Sequence, residues 1–155
     1  RHIIGRIWLG NRYSTFRYGS SNLGMDIFNP VNVAGWPGHF DWINENTLTL
    51  RWDYCKTIIG TLSNEKNRET LRQLAIDLSA PDYNNPDIIT KALTLHFIGR
   101  VLDEDLHQAA VLYLKGDIPQ NYFDDGTWNL SWNEAPFQIA NLLVYLTKLP
   151  EFQLS

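Results

Sequence analysis

Five stretches of this chain carry apolar residues at helical spacing, each with a capping residue in front and most with a stop signal behind. Asn44 precedes Leu48, Trp52, Cys55 and Ile59, one stripe closed by Gly60. Asn67 stands before Leu71, Leu74, Ala75 and Leu78, with Pro81 as the stop. Asn85-Pro86 is a cap followed by proline at the first helical position, and Ile89, Ala92, Leu93 and His96 then share a face up to Gly99. Asp103 opens a helix with Leu106, Ala109, Ala110, Tyr113 and Leu114, ended by Lys115-Gly116. Asn133 opens the last, in which Ile139, Leu142, Leu143 and Leu146 face inward and Pro136 falls in the tolerant first turn. No alternation marks a strand. The predicted fold is all-α, about five main helices in a single bundle-like or orthogonal packing.

Between and before these helices the chain reads differently. Ile3, Ile4, Ile7 and Trp8 have helical spacing, with Gly10-Asn11 as a stop. Asn11 to Gly24 mixes aromatics with Gly and Ser and reads as loop, with a short helix from Asn22 setting Leu23, Ile27 and Phe28 inward. Asp117 to Trp132 is a polar, aromatic loop with Asp124-Asp125-Gly126 as its turn. On the N-terminal side, Asn29 to Gly38 forms a long rigid Pro/Gly/Trp loop. Pro30 and Pro37 fix φ, Pro37-Gly38 suits a type II turn, and Trp36 offers a large apolar anchor. The expectation is that this loop packs as a plug, with Trp36 buried.

The totals narrow the function. With 155 residues, 44% of them hydrophobic, residues 1–155 can form a single domain with one sizeable core. A net charge of −4 gives no footprint for nucleic acid or anionic membrane, and no apolar run has the length of a transmembrane segment. One cysteine, Cys55, excludes an internal disulfide and reads as a small core residue.

The motifs themselves resemble a known family. Asn29-Pro30, Asn32-Val33, Gly35-Trp36-Pro37-Gly38, Trp42-Ile43-Asn44, Thr47-Leu48 and Arg51 look like the signature of the bacterial domain of unknown function 1800 family. Its members usually carry a second proline where this chain has Val31, and a second glycine where it has His39. Leu149-Pro150-Glu151-Phe152-Gln153 is similar to the family's C-terminal ending. The resemblance covers the C-terminal part of a typical member, implying that residues 1–155 are a fragment of a longer protein. It further implies an exported protein in the periplasm or at the cell surface, with a sulfatase-like neighbour as a protein partner. It implies no chemistry.

Candidate sites follow from residue type. Arg51, one turn after Leu48, has five fixed donors suited to clamping loop carbonyls or a carboxylate such as Asp26 or Asp41; the alternative is an anion subsite. His39 and Asp41 form a His–carboxylate pair at the loop's edge, capable of acid–base work or simply an exposed turn. With Asn32 and Trp36 these residues make up the candidate binding site: Asn32, Trp36, His39, Asp41 and Arg51. Asp103 and His107 share a helix face that suits either a divalent metal or the helix dipole, the latter being preferred. His96 reads as a core histidine. Asn121, Asp124, Asp125, Gly126 and Asn129 lack the spacing of a calcium loop, so no metal site and no cofactor is expected. Tyr122, Phe123, Trp128 and Trp132 form either a sugar-stacking or protein-docking surface, or a cover over the core. No hydrolase, metalloprotease, phosphate-loop or dinucleotide motif occurs. The expected function is a non-catalytic scaffold or a module that binds a protein partner or a carbohydrate. The alternative is a hydrolase-like enzyme whose site includes the signature loop and residues upstream of it.

Overall fold

The structure is a computed structural model that describes residues 12–26, 29–30, 32–36 and 43–154. Among them lie eight helices: α1 (Arg12–Asn22), α2 (Glu45–Gly60), α3 (Arg68–Ser79), α4 (Pro86–Ile98), α5 (Glu104–Lys115), α6 (Asn121–Asp124), α7 (Ala135–Lys148) and α8 (Pro150–Gln153). Among the described residues no strand forms; the nearest thing to one is an isolated bridge between Asn32 and Gly35. The fold is all-α, as the sequence predicts.

The centre is α7. It buries Ile139, Ala140, Leu142, Leu143 and Leu146 on its apolar side, together with Gln138 and Thr147. A helix buried over so much of its surface must be walled in by others. Here α2, α3, α4 and α5 pack around it and α8 folds back on its end. Leu71 and Ala75 of α3, Ile89 and Leu93 of α4, and Ala110 and Leu114 of α5 complete the core.

Three of the predicted caps form at Asn44, Asn85 and Asp103, whereas Asn67 precedes α3 without a side-chain cap bond and instead donates Nδ2 to the Thr61 carbonyl at 2.7 Å. Asn44 Oδ1 accepts from the Asn46 and Thr47 amides at 3.1 and 3.0 Å, while the Asn44 amide donates to Thr47 Oγ1 at 3.0 Å. Each side chain thus satisfies an amide that the helix leaves without a partner. Asn85 and Asp103 cap α4 and α5 through the amides of Asp87 and Leu106. Gly99 ends α4 at φ +83°, a left-handed turn that glycine adopts without penalty. α7 starts at Ala135 behind Glu134 rather than directly after Asn133, so its proline sits at the second helical position.

Other expectations also fail. Arg12–Asn22, expected as loop, is helix α1 although its sequence has no apolar stripe, and the helix expected to begin at Asn22 does not form: α1 ends there and Leu23-Gly24 is a turn. α1 packs on α2 with Gly19 against the Tyr54 ring, where an added Cβ would lie 2.2 Å from Cζ. Tertiary contact here overrides weak local preference.

His96 and Tyr113 are exposed instead of inward. In both helices the buried arc is turned away from the predicted stripe, toward Thr90 and Thr94 in α4 and toward Val111 in α5. A further failure is Trp36, which is 42% exposed beyond the tight Asn32–Gly35 turn, and so is not a buried anchor. The predicted elements over residues 1–11, Ile27 and Phe28, and the Pro37-Gly38 turn lie outside the described residues.

Candidate functional site

The two tryptophan-bearing loops of the chain fare differently, and the contrast directs attention to the site. Between Asp117 and Trp132 the rings of Phe123, Trp128 and Trp132 turn inward, while Tyr122 stays exposed. Trp128 is 1% exposed, with Phe123 at 5.2 Å between ring centroids, and Trp132 meets Tyr122 edge-on. Trp128 Nε1 donates to Gln138 Oε1 at 3.0 Å, and Gln138 Nε2 donates to the carbonyls of Leu114 and Lys115 at 3.0 and 3.1 Å.

Arg72, itself buried on α3, sends Nη1 to the carbonyls of Leu130 and Trp132. Its Nε donates to Glu69 Oε2 at 3.2 Å. This loop is therefore the cover over the core, and Trp128 is spent in that role. The polar residues nearby are also committed to the chain itself. The Thr127 side chain first, and then its amide, which donates to Asp125 Oδ1 at 2.9 Å, hold the Asp125 carboxyl below the usual range, and Asn129 Oδ1 accepts from the Ser131 amide.

Of the residues singled out at the signature loop, His39 and Asp41 lie outside the described residues. Asn32 and Trp36 share the short turn, where Asn32 Oδ1 accepts from the Ala34 amide at 2.8 Å. Arg51 is half-buried on α2, one turn before Cys55. Burial pushes the Cys55 thiol up, and the Arg51 charge opposes it only in part. A thiol held protonated is a poor nucleophile, which argues against a reactive Cys55, itself half-buried rather than a core residue. Asp103 is taken up by its cap, and His107 Nε2 pairs with Asp87 at 2.8 Å across to α4. Among the described residues no three metal-ligating groups converge.

Two surface grooves lie among the described residues. One, of about 370 Å³, lies among Asp82, Asp87, Gln108, Lys115, Gln120 and Asp124. Most of its polar groups bond to neighbours: Lys115 Nζ donates to Gln120 at 3.0 Å and Gln120 Nε2 to Asp124 at 2.7 Å. The other, of about 480 Å³, runs between α5 and α7. Its walls are Leu112, Tyr113 and Gly116 on one side and Asn141, Val144, Tyr145 and Lys148 on the other, with Asp117 at the end.

The rings of Tyr113 and Tyr145 stack at 4.2 Å and 18°. Burial pushes the Tyr145 phenol above its ordinary value of 10.0, and Tyr113, Glu151 and Asp103 push the same way, so it stays a neutral donor. The side chains of Asp117, Asn141 and Lys148 make no hydrogen bond or ion pair among the described residues. This groove, with flat aromatic surface beside uncommitted polar groups, is the candidate site.

The stretch that carries these features is also the stretch that a family model covers. A model described as protein of unknown function (DUF1800) matches residues 8–154. The chain belongs to this family. No curated protein and no solved structure matches it. The two stretches that carry the resemblance have a structural setting where they fall among the described residues. The first gives the exposed Asn32–Trp36 turn and the capped start of α2. The second gives α8, where buried Gln153 donates through Nε2 to the Thr147 carbonyl at the end of α7.

Sequence reasoning misses the groove because Tyr113 is assigned inward. The available signal was Leu112, Tyr113 and Gly116 on one side of α5 with Asn141, Val144, Tyr145 and Lys148 on a side of α7, which only their packing brings together.

Proposed function

We propose that this chain is a non-catalytic binding module whose ligand or partner is received in the α5–α7 groove. The observation that carries the reading is the Tyr113–Tyr145 stack with Asp117, Asn141 and Lys148 uncommitted beside it. Polar side chains that the fold does not use are available to a ligand without breaking any internal bond. A setting outside the cytoplasm, with a sulfatase-like neighbour or a carbohydrate as the partner, is part of this proposal; the setting and the neighbour rest on the family resemblance alone. Among the described residues no helix is long and apolar enough to cross a membrane.

A fragment screen read by amide chemical shifts tests the proposal. Hits should cluster on residues 112–117 and 141–148. Hits clustering instead on Asn32–Trp36 and α2, or turnover of chromogenic ester, phosphate or glycoside substrates by the purified chain, would overturn it in favour of a hydrolase built on the signature loop.

A further inference from the structure

The groove's chemistry is more specific than its existence. Tyr113 is 52% exposed although one face of its ring is covered by Tyr145, so its accessible surface is chiefly the outer face and edge. The stack fixes the ring's plane and removes its rotational freedom, leaving a rigid apolar platform. Around it stand a carboxylate, an amide and an ammonium group, which together accept and donate in several directions.

An anion would meet Asp117, and a purely apolar ligand would leave all three polar groups unused. A volume of about 480 Å³ lies in the range of small-ligand sites, about 300–1,000 Å³, rather than that of a protein-sized footprint. A ligand with an apolar C–H face and a rim of hydroxyls that donate and accept matches every part. That is the chemistry of a sugar ring.

We infer that the α5–α7 groove binds a carbohydrate, one pyranose ring lying on Tyr113 and its hydroxyls reaching Asn141, Asp117 and Lys148. This rests on the groove being the binding face proposed above. The groove is open along its length, which suits part of a glycan chain rather than an enclosed monosaccharide.

The test uses the 155-residue chain and three soluble probes, cellotetraose, chitotetraose and maltotetraose. At least one should give saturable amide shifts over residues 112–117 and 141–148, with a Kd of about 0.1–10 mM. Tyr113→Ala should weaken that binding at least about tenfold and Tyr113→Phe should leave it within about twofold, since the ring and not the hydroxyl forms the platform. Asn141→Ala should weaken it by about three- to tenfold, as removal of a ligand hydrogen bond does. Both positions are exposed, and melting curves matching the parent would show the variants intact.

Absence of saturable shifts from all three sugars would overturn the carbohydrate while leaving a fragment-mapped groove standing. So would shifts from an amphipathic helical peptide alone. Sugar binding unchanged in Tyr113→Ala would place the ligand elsewhere and overturn both proposals.

Discussion

Two loops of this chain carry a tryptophan, and only one of them is part of the core. The Asn32–Trp36 turn closes on itself through an Asn32–Gly35 bridge and leaves its tryptophan 42% exposed. The 117–132 loop has more polar residues and no internal proline beyond Pro119, and yet its Trp128 is 1% exposed. What separates them is not loop stiffness but what reaches up from below. Arg72 and Gln138 are buried donors and acceptors on helices, aimed at the second loop's carbonyls and indole. Prolines restrict a loop's own conformation, whereas such ties fix where it sits on the core.

The largest test of this difference is Trp128→Ala. It should cost about 3–5 kcal/mol, the range for a large aromatic removed from a packed core. Denaturant midpoints within a few tenths of a molar of the parent would show that the loop is not the cover described.

Arg72→Lys comes next. A lysine keeps the charge but cannot serve two carbonyls and Glu69 from one planar fork, so a loss of about 1.5–3 kcal/mol is expected. Retained stability would remove the arginine as the tie and leave Gln138 to explain the loop alone.

Gly19→Ala probes the closest contact on the N-terminal side. Its Cβ would meet the far end of the Tyr54 ring, a contact relieved by a side-chain shift, so about 1 kcal/mol is expected. Hydrogen exchange should speed up over α1 but not over α7; uniform acceleration would mean that α1 is more central than its packing indicates.

Trp36→Ala should have the smallest effect, below about 1 kcal/mol, as for a substitution at a largely exposed position. A loss comparable to that of Trp128→Ala would erase the contrast between the loops.

Much of the fold was legible because helices announce themselves at their ends. Asn44, Asn85 and Asp103 each cap the helix they precede, and Gly99 and Gly116 each end one. The rotation of a helix about its axis is less legible. Moving the buried arc from His96 toward Thr94 needs only a fraction of a turn, and a single helix's apolar pattern tolerates that. The same ambiguity hid Tyr113, and with it the groove. Arg72 was hidden for another reason: from sequence it is an ordinary partner for Glu69 one turn away, and only the fold brings Leu130 and Trp132 within its reach. His39 and Asp41, readable as a pair in the sequence, lie outside the described residues.

Gln138 joins the covering loop to the groove. Its oxygen holds the Trp128 indole, and its nitrogen holds the carbonyls that end α5 immediately before Gly116 and Asp117. In mechanical terms it is a pin without slack. Swinging the α5 wall outward would take the buried Leu114 carbonyl and the part-buried Lys115 carbonyl from their shared donor, and a buried group left unpaired costs about 1–3 kcal/mol. The groove is therefore a mould rather than a jaw. Its width is set before anything arrives, so selectivity has to come from the thickness and hydroxyl pattern of what is offered, not from closure around it.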